Sequence, residues 1–204
     1  SLVVSFNVTW RPFSKYLELP ERMINLGSKY PTINFNVASG LKSIAQSDVD
    51  FVKWRLTASQ NLNLKLYGKL DAKISIGGFS NANKVFAPDY QHYLGNEIAV
   101  NNNYMNGFQL LPYYTFSNTA SLYTESHFEY HLNGFISNKI PVFKKLNWFF
   151  VVGANTLNVN GKPNYFETFV SIEKIFKLIR VDFVNGYLQN GPKTQGIKFS
   201  YKLF

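Results

Sequence analysis

Glu125, His127, Glu129 and His131 occupy every second position of one short segment, and they form the chain's one grouping with the residue types for acid–base or metal chemistry. In a strand, alternate side chains share a face, so all four lie together, opposite Leu122, Phe128, Tyr130 and Leu132. The spacing argues against a metal: His127 and His131 would stand about 13 Å apart, and neighbours two residues apart about 7 Å. The types suit instead a polar network with Lys and Arg from adjacent strands. Glu167, Glu173, Arg180 and Asp182 read the same way, as cross-strand ion pairs. His92, beside Asp89 and Tyr90, reads as a loop anchor. Nucleophile elbow, phosphate-cradling glycine loop and metal-ligand spacing are all missing from the sequence, and zero cysteines exclude thiolate chemistry. The expectation is a protein that is not an enzyme and needs no cofactor.

The elements that position these residues show two faces. From Leu62 to Ile76 apolar and polar residues alternate, with Leu62, Leu64, Leu66, Leu70, Ile74 and Ile76 against Asn63, Lys65, Lys69, Asp71, Lys73 and Ser75. A period of two predicts β structure, and one strand of this length would reach about 50 Å, beyond a bilayer core. Strands are expected near 2–10, 31–39, 51–60, 62–76, 119–135, 146–157, 165–176, 178–187 and 195–203. Trp148 to Val152 is apolar on both faces and suits a place where an interior is filled. The connection 11–30, with Pro12 and Pro20, has room for a short extra element.

With 46% hydrophobic and 17% aromatic residues the chain can order fully, and it has no run of about eighteen apolar residues such as a membrane helix requires. Strands that cross a membrane need no such run. The net charge of +9 raises nucleic acid as a partner. The lysines, however, are interleaved singly (Lys65, Lys69, Lys73; Lys198, Lys202), as suits a polar interior rather than a groove-binding patch, so nucleic acid is not expected. Connections at 60–61 and 177 look tight while 40–50, 77–118, 158–164 and 188–194 look long, the alternation of a membrane barrel with short periplasmic and long external loops. No internal repeat or linker divides the chain. The opening Ser1-Leu2-Val3-Val4 lacks a signal-like region and suggests a leader removed or a longer parent chain.

Several motifs occur in order: Leu26-Gly27-Ser28-Lys29-Tyr30-Pro31-Thr32, Asp89 to Asn96, Leu110-Leu111-Pro112-Tyr113-Tyr114, His127 to Phe135, Lys139-Ile140-Pro141-Val142, Tyr165-Phe166-Glu167 and Leu178 to Asp182. Together they resemble the C-terminal barrel of a Bacteroidetes outer-membrane family, the carboxypeptidase-regulatory-like domain-containing proteins, whose function is uncharacterised. That barrel is similar to the BamA and TamA assembly-factor superfamily. The resemblance implies roughly sixteen strands, this chain holding about the last nine. It also implies that 77–118 is a long extracellular loop folded into the lumen, with Met105-Asn106-Gly107-Phe108 at the place of a Val-Arg-Gly-Phe tip. There the family's arginine pairs with an acid of the wall; Asn106 stands in its place, so that charged lock is not expected.

The C-terminal alternation of Ile197, Phe199, Tyr201 and Leu203 with Lys198, Ser200 and Lys202, after Gly196 and ending in Phe204, resembles the insertion signal of outer-membrane barrels. These observations define an expected all-β fold, an antiparallel transmembrane β-barrel of the cell outer membrane. The expected role is BamA-like, in or beside machinery that assembles or exports outer-membrane proteins, with 195–203 as one side of a seam. The alternative is a plugged structural barrel that anchors a periplasmic domain or partner complex without insertase activity. Expected partners are outer-membrane lipid, including lipopolysaccharide, and other assembly or secretion proteins or lipoproteins.

Overall fold

The computed structural model describes residues 2–44, 46–100 and 104–201. Nine strands form one antiparallel sheet: β1 (Val3–Trp10), β4 (Thr32–Gly40), β5 (Asp50–Asn63), β6 (Lys69–Lys84), β7 (Tyr123–His131), β8 (Phe149–Val159), β9 (Tyr165–Ile175), β10 (Ile179–Leu188) and β11 (Lys193–Tyr201). Each pairs with the next, as expected where every connection is a hairpin. β2 (Lys15–Leu19) and β3 (Arg22–Gly27) make a separate two-stranded hairpin in the first connection. The fold is therefore all-β in its main body, with β1 and β11 as the two edges of an open sheet among the described residues.

The stretch 62–76 is not one strand. β5 ends at Asn63, a 3-10 turn covers Lys65–Tyr67, and β6 begins at Lys69. Alternation crossed the turn undetected because Leu64, Leu66 and Gly68 kept the period while the chain reversed. Gly68 permits the reversal: its φ is +122°, and a Cβ there would strike the His131 carbonyl oxygen. β6 then runs on to Lys84, past Gly77 and Gly78, so the long connection is 85–122 rather than 77–118. Those glycines do not end the strand; at Gly78 they let the returning chain lie close, where the Phe79 amide donates to the Ala120 carbonyl at 3.0 Å.

The expected strand 119–135 is shorter, because α1 (Gly134–Ser137) and α2 (Pro141–Leu146) fill the path to β8. Pro141 opens α2 where no amide donor is required, and Asn147 closes it at a left-handed φ of 55°. The alternation of short and long connections fails for the same reason. One end of the sheet carries 11–31, 64–68, 132–148 and 176–178, the other 41–49, 85–122, 160–164 and 189–192, so each end holds both long and tight turns.

The two faces are inverted relative to an ordinary domain. Glu125, His127, Glu129, Glu167, Arg180 and Asp182 are buried, with Glu167 and Asp182 at 0% exposure. On the opposite face Ile74 is 50% exposed, Val170 53% and Ile197 57%. The connection 85–122 lies across the polar face from β5 to β11, while β1 is exposed along its whole length. Its Tyr93, Phe108, Leu111 and Phe116 pack with Tyr123, Leu157, Val159 and Tyr165 as the largest apolar cluster. Val151 of the doubly apolar segment sits beneath Tyr104 and Leu110, also of that connection.

Gly68→Ala is expected to destabilise the chain by about 1–3 kcal/mol, since a side chain there meets backbone at a positive φ. A fall in denaturant midpoint checks it.

Candidate functional site

The site is the contact between the polar face and the connection 85–122. Glu167, on β9, points inward because Tyr165, Glu167, Phe169, Ser171 and Glu173 all share the buried side of that strand. Its carboxylate accepts the backbone amides of Gln109 and Leu110, each at 2.8 Å, the Tyr165 hydroxyl at 2.6 Å and the Asn155 amide at 3.1 Å. A fully buried carboxylate with four donors is satisfied without a cation. The expected cross-strand ion pair at Glu167 is thus replaced by a grip on backbone. Asn155 Oδ1 in turn lies 2.9 Å from His127 Nδ1, and His127 Nε2 lies 2.9 Å from Glu125. Glu125 also takes the Arg55 guanidinium at 2.6 Å.

A second cluster lies further along. Arg180 pairs with Glu129 and, at 2.7 Å, with Asp182, while its guanidinium stacks 3.7 Å over the Tyr104 ring of the connection. The Tyr104 hydroxyl donates to Asp182 at 2.6 Å. Burial, with the Asp182 charge adding, holds the Tyr104 phenol above the ordinary tyrosine range, so it stays a neutral donor. Burial raises the Tyr93 phenol likewise. His131 lies 3.1 Å from Glu173, 3.6 Å from Glu129 and 3.8 Å from Asp71, and Lys69 pairs with Asp71 at 2.8 Å. Around these groups is a charged cavity of about 660 Å³, which Met105 and Asn106 also line. Among the described residues no group of His, Cys, Asp and Glu has the geometry of a metal site.

The structure therefore brings Glu125 and His127 into one cluster and Glu129, His131, Arg180 and Asp182 into another. At the tip of the connection, Lys73 donates to Asn106 Oδ1 at 2.5 Å, so a base of the sheet meets a neutral tip. Gly107 bridges Leu94, and Phe108, 1% exposed, lies 5.0 Å from the His127 ring and 5.8 Å from Tyr165. His92 anchors its own loop, through Ser117 at 2.8 Å and the Ala87 carbonyl at 2.9 Å.

In β11, Gly196 pairs opposite Val184, and Phe199 and Tyr201 stand on the exposed face. Phe204 lies outside the described residues. The outer edge of β11 is not bare: the Phe199 amide donates to the Ala99 carbonyl at 2.7 Å, Val100 bridges Phe199 in parallel, and Lys198 donates to the Ile98 carbonyl at 2.7 Å. Tyr104 and Asn155, and the parts that Tyr165 and Arg55 play, escaped the sequence reading, whereas Lys198 faces the polar interior as expected. For Tyr165 the signal was present, two residues before Glu167 on one strand face; for Tyr104, in a loop without period, there was none.

The fold and site define a class: an antiparallel sheet with its charged face inward, capped by its own long connection. Within that class the chain belongs to the C-terminal domain of DUF5686, a family of unknown function, whose pattern matches residues 1–172. No curated protein and no solved structure matches.

Glu167→Ala is expected to cost about 3–5 kcal/mol, because it strands two buried amides and a phenol, and to open 85–122 to protease before the sheet unfolds. Limited proteolysis with mass mapping reads it. Tyr104→Phe keeps the ring on Arg180 and loses one bond to a charged acceptor, about 1.5–3 kcal/mol, measured by denaturant titration.

Proposed function

We propose that the chain is the C-terminal part of an antiparallel transmembrane β-barrel of the outer membrane, its lumen closed by residues 85–122. We take its role to be a plugged structural barrel that anchors a periplasmic domain or partner complex, without enzymatic activity. The observation that carries the reading is the inversion of the faces. An apolar face exposed over Ile74, Val170, Phe183 and Ile197, behind a buried face of paired charges, is unfavourable in water and favourable in lipid. The edge of β1, and the part of the β11 edge that Ala99–Val100 does not pair with, are where further strands would close the sheet. Outer-membrane lipid, including lipopolysaccharide, is then the medium of the apolar face. The clamp supports the plugged form, since Glu167, Asp182 and Lys198 each hold the connection by its backbone or by Tyr104.

A second reading, a BamA-like part in or beside assembly or export machinery, has one observation in its favour besides the resemblance. The β11 edge accepts an extended segment, Ala99–Val100, in strand-like pairing, which is the mode by which a client strand would add. Asn106 lacks the arginine of that superfamily's lock, and the edge is already occupied, so the anchor reading is preferred.

Membrane fractionation tests the reading: the chain should resist extraction by carbonate and require detergent, and recovery as a folded protein in the soluble fraction would overturn it. In planar bilayers the wild type should show no steady conductance, whereas Glu167→Ala should show openings; a steadily conducting wild type overturns the plug. Native pull-down from solubilised membranes separates the roles. A stoichiometric assembly or secretion complex favours the second reading, a barrel free of such machinery the first.

A further inference from the structure

The net charge of +9 is not spread along the strands as the sequence suggested. The connections at one end of the sheet, 11–31, 64–68, 132–148 and 176–178, hold nine basic and two acidic residues. Those at the other end, 41–49, 85–122, 160–164 and 189–192, hold two basic and three acidic residues. Lys65, grouped by the sequence reading with the strand lysines, lies in a turn of the basic end. There the cations are exposed, whereas Arg55 and Arg180 of the sheet are engaged by acids.

Among the described residues, the same turns carry the most exposed large apolar side chains. Leu66 is 85% exposed, Phe176 80% and Phe13 79%, and each has a cation one or two residues away: Lys65, Lys177 and Arg11. In α2 Val142 and Leu146 stand exposed beside Lys144 and Lys145. At this end lysines also fold their stems over rings, Lys139 Nζ 5.0 Å from the Phe135 centroid and Lys174 Nζ 4.5 Å from that of Phe149. An acidic protein partner would need the cations alone. Apolar residues that project singly between cations, at the margin of an exposed apolar sheet face, fit a boundary where acyl chains give way to phosphates.

The geometry points to a lipid-docking rim: the basic turns bind the headgroup phosphates of anionic phospholipids, with Phe13, Leu66 and Phe176 inserted between them. This rests on the membrane reading above and adds which lipid is preferred and which end of the sheet meets it. Each Lys or Arg near an anionic surface contributes roughly fivefold in partitioning, so the effect of removing two is measurable.

The test uses the chain reconstituted with vesicles of pure phosphatidylcholine or of phosphatidylcholine with phosphatidylglycerol. Flotation measures partitioning, and carbonate resistance measures insertion. Wild type should insert in both but partition into the anionic vesicles at least about tenfold better, a preference erased by high salt. Lys65→Gln with Lys177→Gln should lose most of the preference while inserting normally in phosphatidylcholine. Lys42→Gln with Lys193→Gln, at the other end, should keep it. Insertion in both vesicles without preference, or a preference that the Lys65 and Lys177 changes leave intact, overturns the rim and spares the barrel. Anionic binding that carbonate removes overturns the barrel and supports the rim as a peripheral surface. Loss of both overturns both.

Discussion

A carboxylate with no exposed surface must have partners, and the way Glu167 obtains them organises the molecule. It sits near the start of β9, and the amides of Gln109 and Leu110 reach it from a connection that begins and ends on β6 and β7. Without that return, Glu167, His127 and Asn155 would face an uncovered groove and Phe108 would have no seat. With it, the polar face acquires a lid whose own apolar residues pack on Tyr123, Leu157 and Tyr165. Charge pairing and apolar packing therefore cooperate within one interface, each excluding the water that would weaken the other.

The same arrangement explains why the outer face is apolar. Strand side chains alternate, so a strand that commits Glu167, Ser171 and Glu173 inward commits Phe166, Val170 and Ile172 outward. Across β9, β10 and β11 the rule repeats, with Phe183 and Ile197 outward opposite Asp182 and Lys198 inward. The buried side thus holds the charged groups together with the apolar residues under the connection, while the opposite apolar set is exposed.

Much of this was legible in the sequence and some of it was not, for definite reasons. The segments near 165–176 and 178–187 match β9 and β10 closely because each alternates between charged and aromatic or aliphatic residues within one hairpin arm. The turn at 64–68 was hidden because its leucines kept the period, while the reversal is made by positive φ at Lys65 and Gly68. Glu129 pairs with Arg180 across the polar face although β8 and β9 lie between their strands, a relation that types on one strand cannot reveal. Tyr104 and the backbone grip of Glu167 were out of reach, since neither a loop tyrosine nor a main-chain amide carries any pattern.

The absence of cysteine makes the central claim, that the apolar face meets lipid and the charged face does not, open to direct measurement. Single cysteines introduced at Val170 and Ile197 on the apolar face and at Ser59 and Thr194 on the polar face would carry an environment-sensitive fluorophore in vesicles containing brominated lipid. The account predicts strong quenching at Val170 and Ile197, together with protection of both from a water-soluble thiol reagent. Unquenched, reagent-accessible labels at those two positions would contradict it.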